Sequence, residues 1–112
     1  MTYEQFDVVV VPFPFTDAAA TKRRPALVLS DVLFNLPLNR SVMAMITTTT
    51  HSSWVLDIPI VDLASAGLKA ASLVRMKLFT LDHAIVVKQI GNLAQTDKLA
   101  VQKALQQLFA IA

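Results

Sequence analysis

Four consecutive valines, Val8 to Val11, followed by Pro12 and Pro14, restrict this chain more than any other feature. The run has no helical periodicity, its β-branched side chains suit an extended backbone, and the two prolines would break any helix placed there. Asp7–Phe13 is therefore read as a strand. Five further stretches share its apolar, β-branched character: Ala26–Ser30 directly after Pro25, Val42–Thr47, Trp54–Ile60, Ser72–Phe79 and His83–Ile90. Pro59 marks the fourth of the six as an edge strand or a strand end, and Gly91-Asn92 reads as a turn closing the last. Short helical turns are expected at Asp31–Asn35, stopped before Pro37, and at Asp62–Gly67, with Asp62 as N-cap and Gly67 able to take positive φ. One longer helix closes the chain. Thr96 is its expected N-cap, Asp97 sits favourably in its first turn, and Val101, Ala104, Leu105, Leu108 and Ala112 form one stripe. The expected fold class is mainly β (α+β): a small, strongly bent antiparallel sheet or barrel with a C-terminal α-helix packed on it.

A length of 112 residues fits a single domain, 1–112, and no linker, repeat or low-complexity tract interrupts it. With 54% hydrophobic and 16% charged residues the composition is the reverse of a disordered chain. The longest apolar stretch, Val8–Phe15, falls well short of the ~18 residues of a membrane-spanning helix. The N-terminus Met1-Thr2-Tyr3-Glu4-Gln5 lacks the basic and apolar regions of a secretory signal. The absence of cysteine removes disulfides, thiolate zinc sites and a Cys nucleophile together, and makes a cytoplasmic location the default. So apolar a composition in so short a chain predicts that part of it lies at a subunit or partner interface.

The chemistry-bearing residues are few. His51 and His83 have neither the spacing nor the flanking carboxylates of a metal site, and each reads as an ordinary surface or turn histidine. No nucleophile turn marks a Ser-His-Asp hydrolase, and Gly67 and Gly91, the only glycines, cannot form a phosphate-cradling loop. No metal or cofactor is implied. What remains is Lys22-Arg23-Arg24, the only run of three like charges, leading through Pro25 into an apolar strand. Proline biases Arg24 toward an extended conformation. A guanidinium on so fixed a base suits a phosphodiester, whose oxygens its planar fork binds in pairs. The alternative is a surface Arg paired with an acid such as Asp31, and on charge alone that is the commoner case.

The blocks Asp7-Val8-Val9-Val10-Val11, Lys22-Arg23-Arg24-Pro25-Ala26-Leu27-Val28-Leu29-Ser30, Phe34-Asn35, Ala44-Met45-Ile46-Thr47, Ser72-Leu73-Val74-Arg75 and Phe79-Thr80-Leu81-Asp82 resemble, in this order, the MazF/PemK family of toxins from type II toxin–antitoxin modules. The likeness spans about residues 6 to 109. It implies an SH3-like β-barrel with a C-terminal helix, a homodimer, and metal-independent endoribonucleolytic cleavage of single-stranded RNA. It also implies inhibition by a cognate antitoxin protein that lays an acidic segment across the dimer groove. In the MazF-like branch the catalytic pair is the Arg of an Arg-Pro step and the Thr ending the third strand. These correspond to Arg24 and Thr47. Arg75 falls at the position of a catalytic Arg in the PemK/Kid branch.

Three departures accompany the match. Phe6 stands where the family usually has Gly, the loop after the first strand is alanine-rich (Ala18-Ala19-Ala20), and Lys77 replaces an acid two residues after Arg75. An acid–base pair built on that carboxylate is therefore absent, which favours the Arg24/Thr47 arrangement. The expected chemistry is attack of the RNA 2′-OH on the adjacent phosphorus, with Lys22, Arg23, Thr48, Arg75 and Lys77 binding substrate. Phe13, Phe15, Thr49, His51 and Trp54 are candidates to line the RNA surface, with core or dimer packing an equal alternative for Phe13 and Trp54. A competing reading is a weak or inactive SH3-like module that binds RNA or a peptide. A metal-dependent nuclease has little support from so scattered a set of carboxylates.

Overall fold

In the computed structural model, which describes residues 2–13, 22–48 and 53–111, the valine run forms β1 (Asp7–Phe13) with the bounds its sequence predicts. On one side β1 pairs with β2 (Lys22–Val28), which pairs onward with β3 (Arg40–Thr48). A two-residue β4 (Ile58–Pro59) lies at the far edge, beyond β5 (Ser72–Asp82), and β6 (Lys88–Asn92) covers the other side of β1. Every pairing is antiparallel and the order is β4-β5-β3-β2-β1-β6, a sheet that curls into a half-barrel. Helices α1 (Val32–Leu38) and α2 (Leu63–Ala66) bridge strands, and α3 (Gln95–Phe109) closes the chain.

The four valines are explained by burial on both faces of β1. Val8 packs with Leu27, Ala44 and Ile46 in the core that α3 covers through Val101 and Ala104, whereas Val9 and Val11 pack on the opposite face with Ala26, Val28 and Met43. A strand buried on both sides needs a continuous apolar run rather than an alternating one. Among the described residues no helix is long and apolar enough to cross a membrane.

Several boundaries differ from expectation for local reasons. β2 starts at Lys22 and runs through Pro25, because only Ala26–Val28 pair with β3; at Pro25 the strand is paired on one side, where a missing N–H is tolerated. Most of Trp54–Ile60 is not a strand. The Asp57 carboxylate accepts the Trp54 N–H at 2.9 Å, the Asp57 N–H donates to the Trp54 carbonyl at 3.2 Å, and Leu56 has φ 72°, so residues 54–57 turn instead. The last expected strand is split: a 3-10 turn over His83–Ile85, capped by Asp82, precedes β6, and Gly91-Asn92 pair with Val8 and Asp7 rather than turning. α1 continues through Pro37, and ends at Asn39 in the left-handed region. α3 has Ala94, not Thr96, at its N-cap position. Asp97 is buried and accepts the backbone N–H groups of Val61 and Asp62, both at 3.0 Å, tying the helix to the segment after β4.

Phe6 has φ 73°, which accounts for the glycine usual at this place in the family, yet its ring is 4% exposed and sits in the α3-side core. The two glycines meet: a Cβ on Gly67, which caps α2 at φ 75°, would strike the Ile90 carbonyl, and one on Gly91 would strike the Ser65 carbonyl, so α2 and β6 touch backbone to backbone.

His83 is not a surface histidine. It is buried with Nε2 at 2.6 Å from the Ser41 hydroxyl, Nδ1 at 3.2 Å from Asn39 Oδ1 and the Tyr3 ring edge-on at 5.0 Å. Because Asn39 Oδ1 only accepts, Nδ1 carries the proton and Nε2 accepts from Ser41 in the neutral ring. Burial lowers its pKa, against the opposing pull of Asp82. His51 lies outside the described residues.

Two outcomes follow for stability. Phe6→Gly relieves a left-handed backbone worth about 1 kcal/mol but removes a buried ring worth about 3–5, so denaturant titration should show a net loss of about 2–4 kcal/mol. For His83 the unfolded chain binds the proton more readily than the folded one, so its stabilising contribution is complete above about pH 6.5 and is lost as pH falls below that value. Unfolding free energies measured between pH 8 and pH 5 should decline on the acid side, and His83→Gln should flatten that decline.

Candidate active site

Strand alternation brings the candidate residues to one face. On β2, Arg24 shares the side of Ala26 and Val28 and stands opposite Val11 of β1, two residues before Phe13. On β3, Thr47 follows Met43 and Met45 on that same side. On β5, Arg75 and Lys77 join them through a shift in register: Ala44 faces Leu78 while Met45 faces Arg75. Together with Trp54 from the 54–57 turn, these side chains line an open groove of about 240 Å³, completed by Met45 and Ile46.

Of the residues that the sequence points to, Arg24, Thr47, Arg75 and Lys77 meet in this groove. Lys22, Arg23 and Thr48 do not line it. Arg23 and Thr48 alternate to the other side of their strands, and Lys22 is exposed at the outer end of β2. Phe13 and Trp54 line the groove rather than the core, while Phe15, Thr49 and the Ala18–Ala20 loop lie outside the described residues.

The two arginines differ in their electrostatic surroundings. Arg75 forms a two-pronged ion pair with Asp57, Nε to Oδ1 at 3.2 Å and Nη2 to Oδ2 at 3.0 Å, in surroundings that leave their side chains 15% and 10% exposed. This partner holds the Asp57 carboxyl below its ordinary pKa and raises that of Arg75. Arg24 takes part in none of the ion pairs among the described residues, and its Nε is buried with no hydrogen-bond partner. The pairing with Asp31 that charge alone suggested is not formed; Asp31 instead caps α1, accepting the Leu33 N–H at 2.9 Å. The guanidinium of Arg24 lies 5.5 Å and the Lys77 ammonium 5.9 Å from the centre of the Phe13 ring, and Arg75 lies 5.1 Å from that of Trp54. A cationic groove faced with aromatic rings suits a polyanion that carries flat bases.

Asp57 is the site residue that sequence reasoning misses. It lies 18 positions before Arg75, inside an apolar stretch with nothing to mark it as a partner. Among the described residues no group of three or more His, Asp or Glu side chains is placed to hold a metal ion.

No curated protein matches the chain in sequence. The structure resembles the Mycobacterium tuberculosis toxin MazF-mt6, with a TM-score of 0.75 and 23% identity over 95% of this chain and 98% of that one. It resembles a chain of the Deinococcus radiodurans MazE–MazF complex with a TM-score of 0.78, 18% identity and full coverage of both, 100% and 100%. A mycobacterial endoribonuclease in complex with its cognate antitoxin matches at a TM-score of 0.75 and 12% identity over 98% and 95% of the two chains. These likenesses establish the fold. The family model described as PemK-like, MazF-like toxin of type II toxin–antitoxin system matches residues 4–109, and with nearly the whole sequence so covered the chain belongs to that family.

Proposed function

We propose that this protein is a cytoplasmic endoribonuclease that cleaves single-stranded RNA in the groove around Arg24, and is the toxin of a type II module held in check by a cognate antitoxin. The observation that carries the reading is the contrast between two arginines in one groove: Arg75 is neutralised by Asp57, while Arg24 takes part in no ion pair among the described residues. A guanidinium that lines a groove without a carboxylate among the described residues suits an anion, and a phosphodiester supplies one.

In the proposed reaction the 2′-oxygen bonds to the adjacent phosphorus, the bond from phosphorus to the 5′-oxygen breaks, and the products are a 2′,3′-cyclic phosphate and a 5′-hydroxyl. The substrate supplies its own nucleophile, so the route needs no metal to generate one. Arg24 holds a non-bridging oxygen as charge builds on it, and the Thr47 hydroxyl orients the phosphate. Asp57, with its carboxyl lowered by Arg75, is a weak base and is already engaged, so the 2′-proton passes to water and the leaving oxygen takes one from water. Lys77 adds positive charge at the groove, and Lys22 and Arg23 extend it along the outer end of β2. The non-catalytic reading draws on Phe6, the Ala18–Ala20 loop, which lies outside the described residues, and Lys77. Against it, Phe6 takes the left-handed backbone a glycine would take, and Lys77 joins the cationic lining.

Two further elements of the proposal concern partners. Leu33, Leu36 and Leu38 on α1, and Phe109 and Ile111 at the end of α3, are 46–85% exposed, which supports a homodimer and an antitoxin contact. Sedimentation of the isolated protein checks the first, and a monomer at micromolar concentration removes it.

Arg24→Ala should lower cleavage of a single-stranded transcript by about 100-fold or more with unchanged thermal unfolding, and Arg24→Lys should recover little, because a point charge cannot bind two oxygens as the fork does. Mapping the cut sites on a transcript pool supplies the substrate for the second check. A 2′-deoxy substitution at the cleaved nucleotide should abolish cutting there, and EDTA should leave cutting intact. Continued cleavage of the deoxy substrate overturns the mechanism, and loss of activity in EDTA overturns its independence of metal.

A further inference from the structure

The ion pair between Asp57 and Arg75 has no role in the phosphate chemistry just described, yet it is among the best-built polar contacts of the molecule. Asp57 uses its side chain three times: both oxygens receive the Arg75 guanidinium, and Oδ2 also accepts the Trp54 N–H at 2.9 Å. Its own N–H returns to the Trp54 carbonyl at 3.2 Å, closing the turn at both ends. Leu56, inside that turn, takes φ 72°, a conformation an L-residue adopts only where its surroundings impose it. The same guanidinium that Asp57 grips lies 5.1 Å from the centre of the Trp54 ring. Carboxylate, guanidinium and indole thus form one fixed assembly, with the indole at the groove and one of its faces backed by a cation.

Trp54 nevertheless remains 46% exposed. Phe13, the other aromatic of the groove, has two cations against it, Arg24 and Lys77, and is more buried. Trp54 is therefore the ring with surface to offer a ligand. A flat, apolar surface of this size, held rigid beside an anion-binding arginine, fits a nucleobase next to a bound phosphate, because stacking needs area and fixed orientation while the base itself needs no charge partner.

Resting on the RNA-cleaving reading above, we propose that Asp57 is a positioning residue which, by clamping Arg75 and the 54–57 turn, presents Trp54 as the wall on which a base of the single-stranded RNA stacks beside the phosphate held by Arg24. The clamp makes Trp54 a determinant of where the chain is cut. It also explains why Arg75 carries a carboxylate while Arg24 carries none among the described residues: one arginine supports a stacking ring and the other receives the phosphate.

Trp54 is the only tryptophan, so intrinsic fluorescence reports on this ring alone. The full chain is titrated with two labelled probes of equal length, a 2′-O-methyl oligoribonucleotide of mixed sequence, which cannot be cut by the 2′-OH route, and an abasic ribose-phosphate oligomer. Binding is followed separately by anisotropy of the label. The expected result is strong fluorescence quenching by the base-bearing probe and little by the abasic one. Trp54→Ala should weaken the base-bearing probe by about 5- to 100-fold and leave the abasic probe unchanged. Asp57→Asn should reduce both the quenching and the preference for the base-bearing probe, and should redistribute cleavage sites in a transcript pool. Asp57→Glu should restore part of the preference, which separates positioning from general damage to the fold. Equal quenching by both probes, or a Trp54→Ala protein that still prefers the base-bearing probe, overturns the stacking wall while leaving the RNA reading intact. Failure of both probes to bind overturns the two together.

Discussion

Between Ala44 and Met45 the partner on β5 jumps from Leu78 to Arg75, so β5 carries two more residues than a regular ladder would use. Because the excess is two and not one, the alternation of faces survives: Val74, Met76 and Leu78 remain on the α3-side core, and Arg75, Lys77 and Phe79 remain on the other. The sheet bends without exchanging its inside for its outside. That bend carries the end of β5 across to the face of β2 on which Arg24 stands. A one-residue shift at the same place would send the two cations into the hydrophobic core, and no groove of this composition would form.

Within the groove, charge is distributed unevenly by simple means. A carboxylate in contact with one arginine consumes its field locally, and the other arginine is left to act on what enters. Aromatic rings beside the cations attract them by their faces at little desolvation cost, so the arginines are held in place without being neutralised by them.

The parts of this architecture that were legible in the sequence are those written in local pattern. β1 is bounded correctly by Val8 to Val11 and Pro12, and α2 by Asp62 and Gly67, whereas the Arg24-Pro25 step lies inside a strand that begins at Lys22 rather than leading into one at Ala26. Errors arose where a side chain redirected the backbone. Trp54–Leu56 is apolar enough to read as a strand, but Asp57 captures its N–H; Gly91-Asn92 reads as a turn, but the Gly91 position is needed flat against α2. His83 looked unremarkable because its partners, Ser41 and Asn39, are more than forty residues away. The Asp57–Arg75 pair was hidden for the same reason. Of the residues singled out for the site, Arg24, Thr47, Arg75 and Lys77 reached the groove; Arg23 and Thr48 alternate away from it, and Lys22, on the parity of Arg24, lies beyond it at the outer end of β2.

The short β4 has a consequence for the edge of the sheet. A free sheet edge offers a row of N–H and C=O groups that can template pairing with another molecule. Here the outermost strand is two residues long and covers only Leu73 and Val74 of β5; Pro59 has no N–H to give, and the chain then leaves the sheet with the Ile60 N–H spent on the Ser72 carbonyl. The opposite edge opens with exposed Lys88 and Gln89. A proline and a very short strand at one border, and a lysine at the other, are features that discourage edge-to-edge pairing.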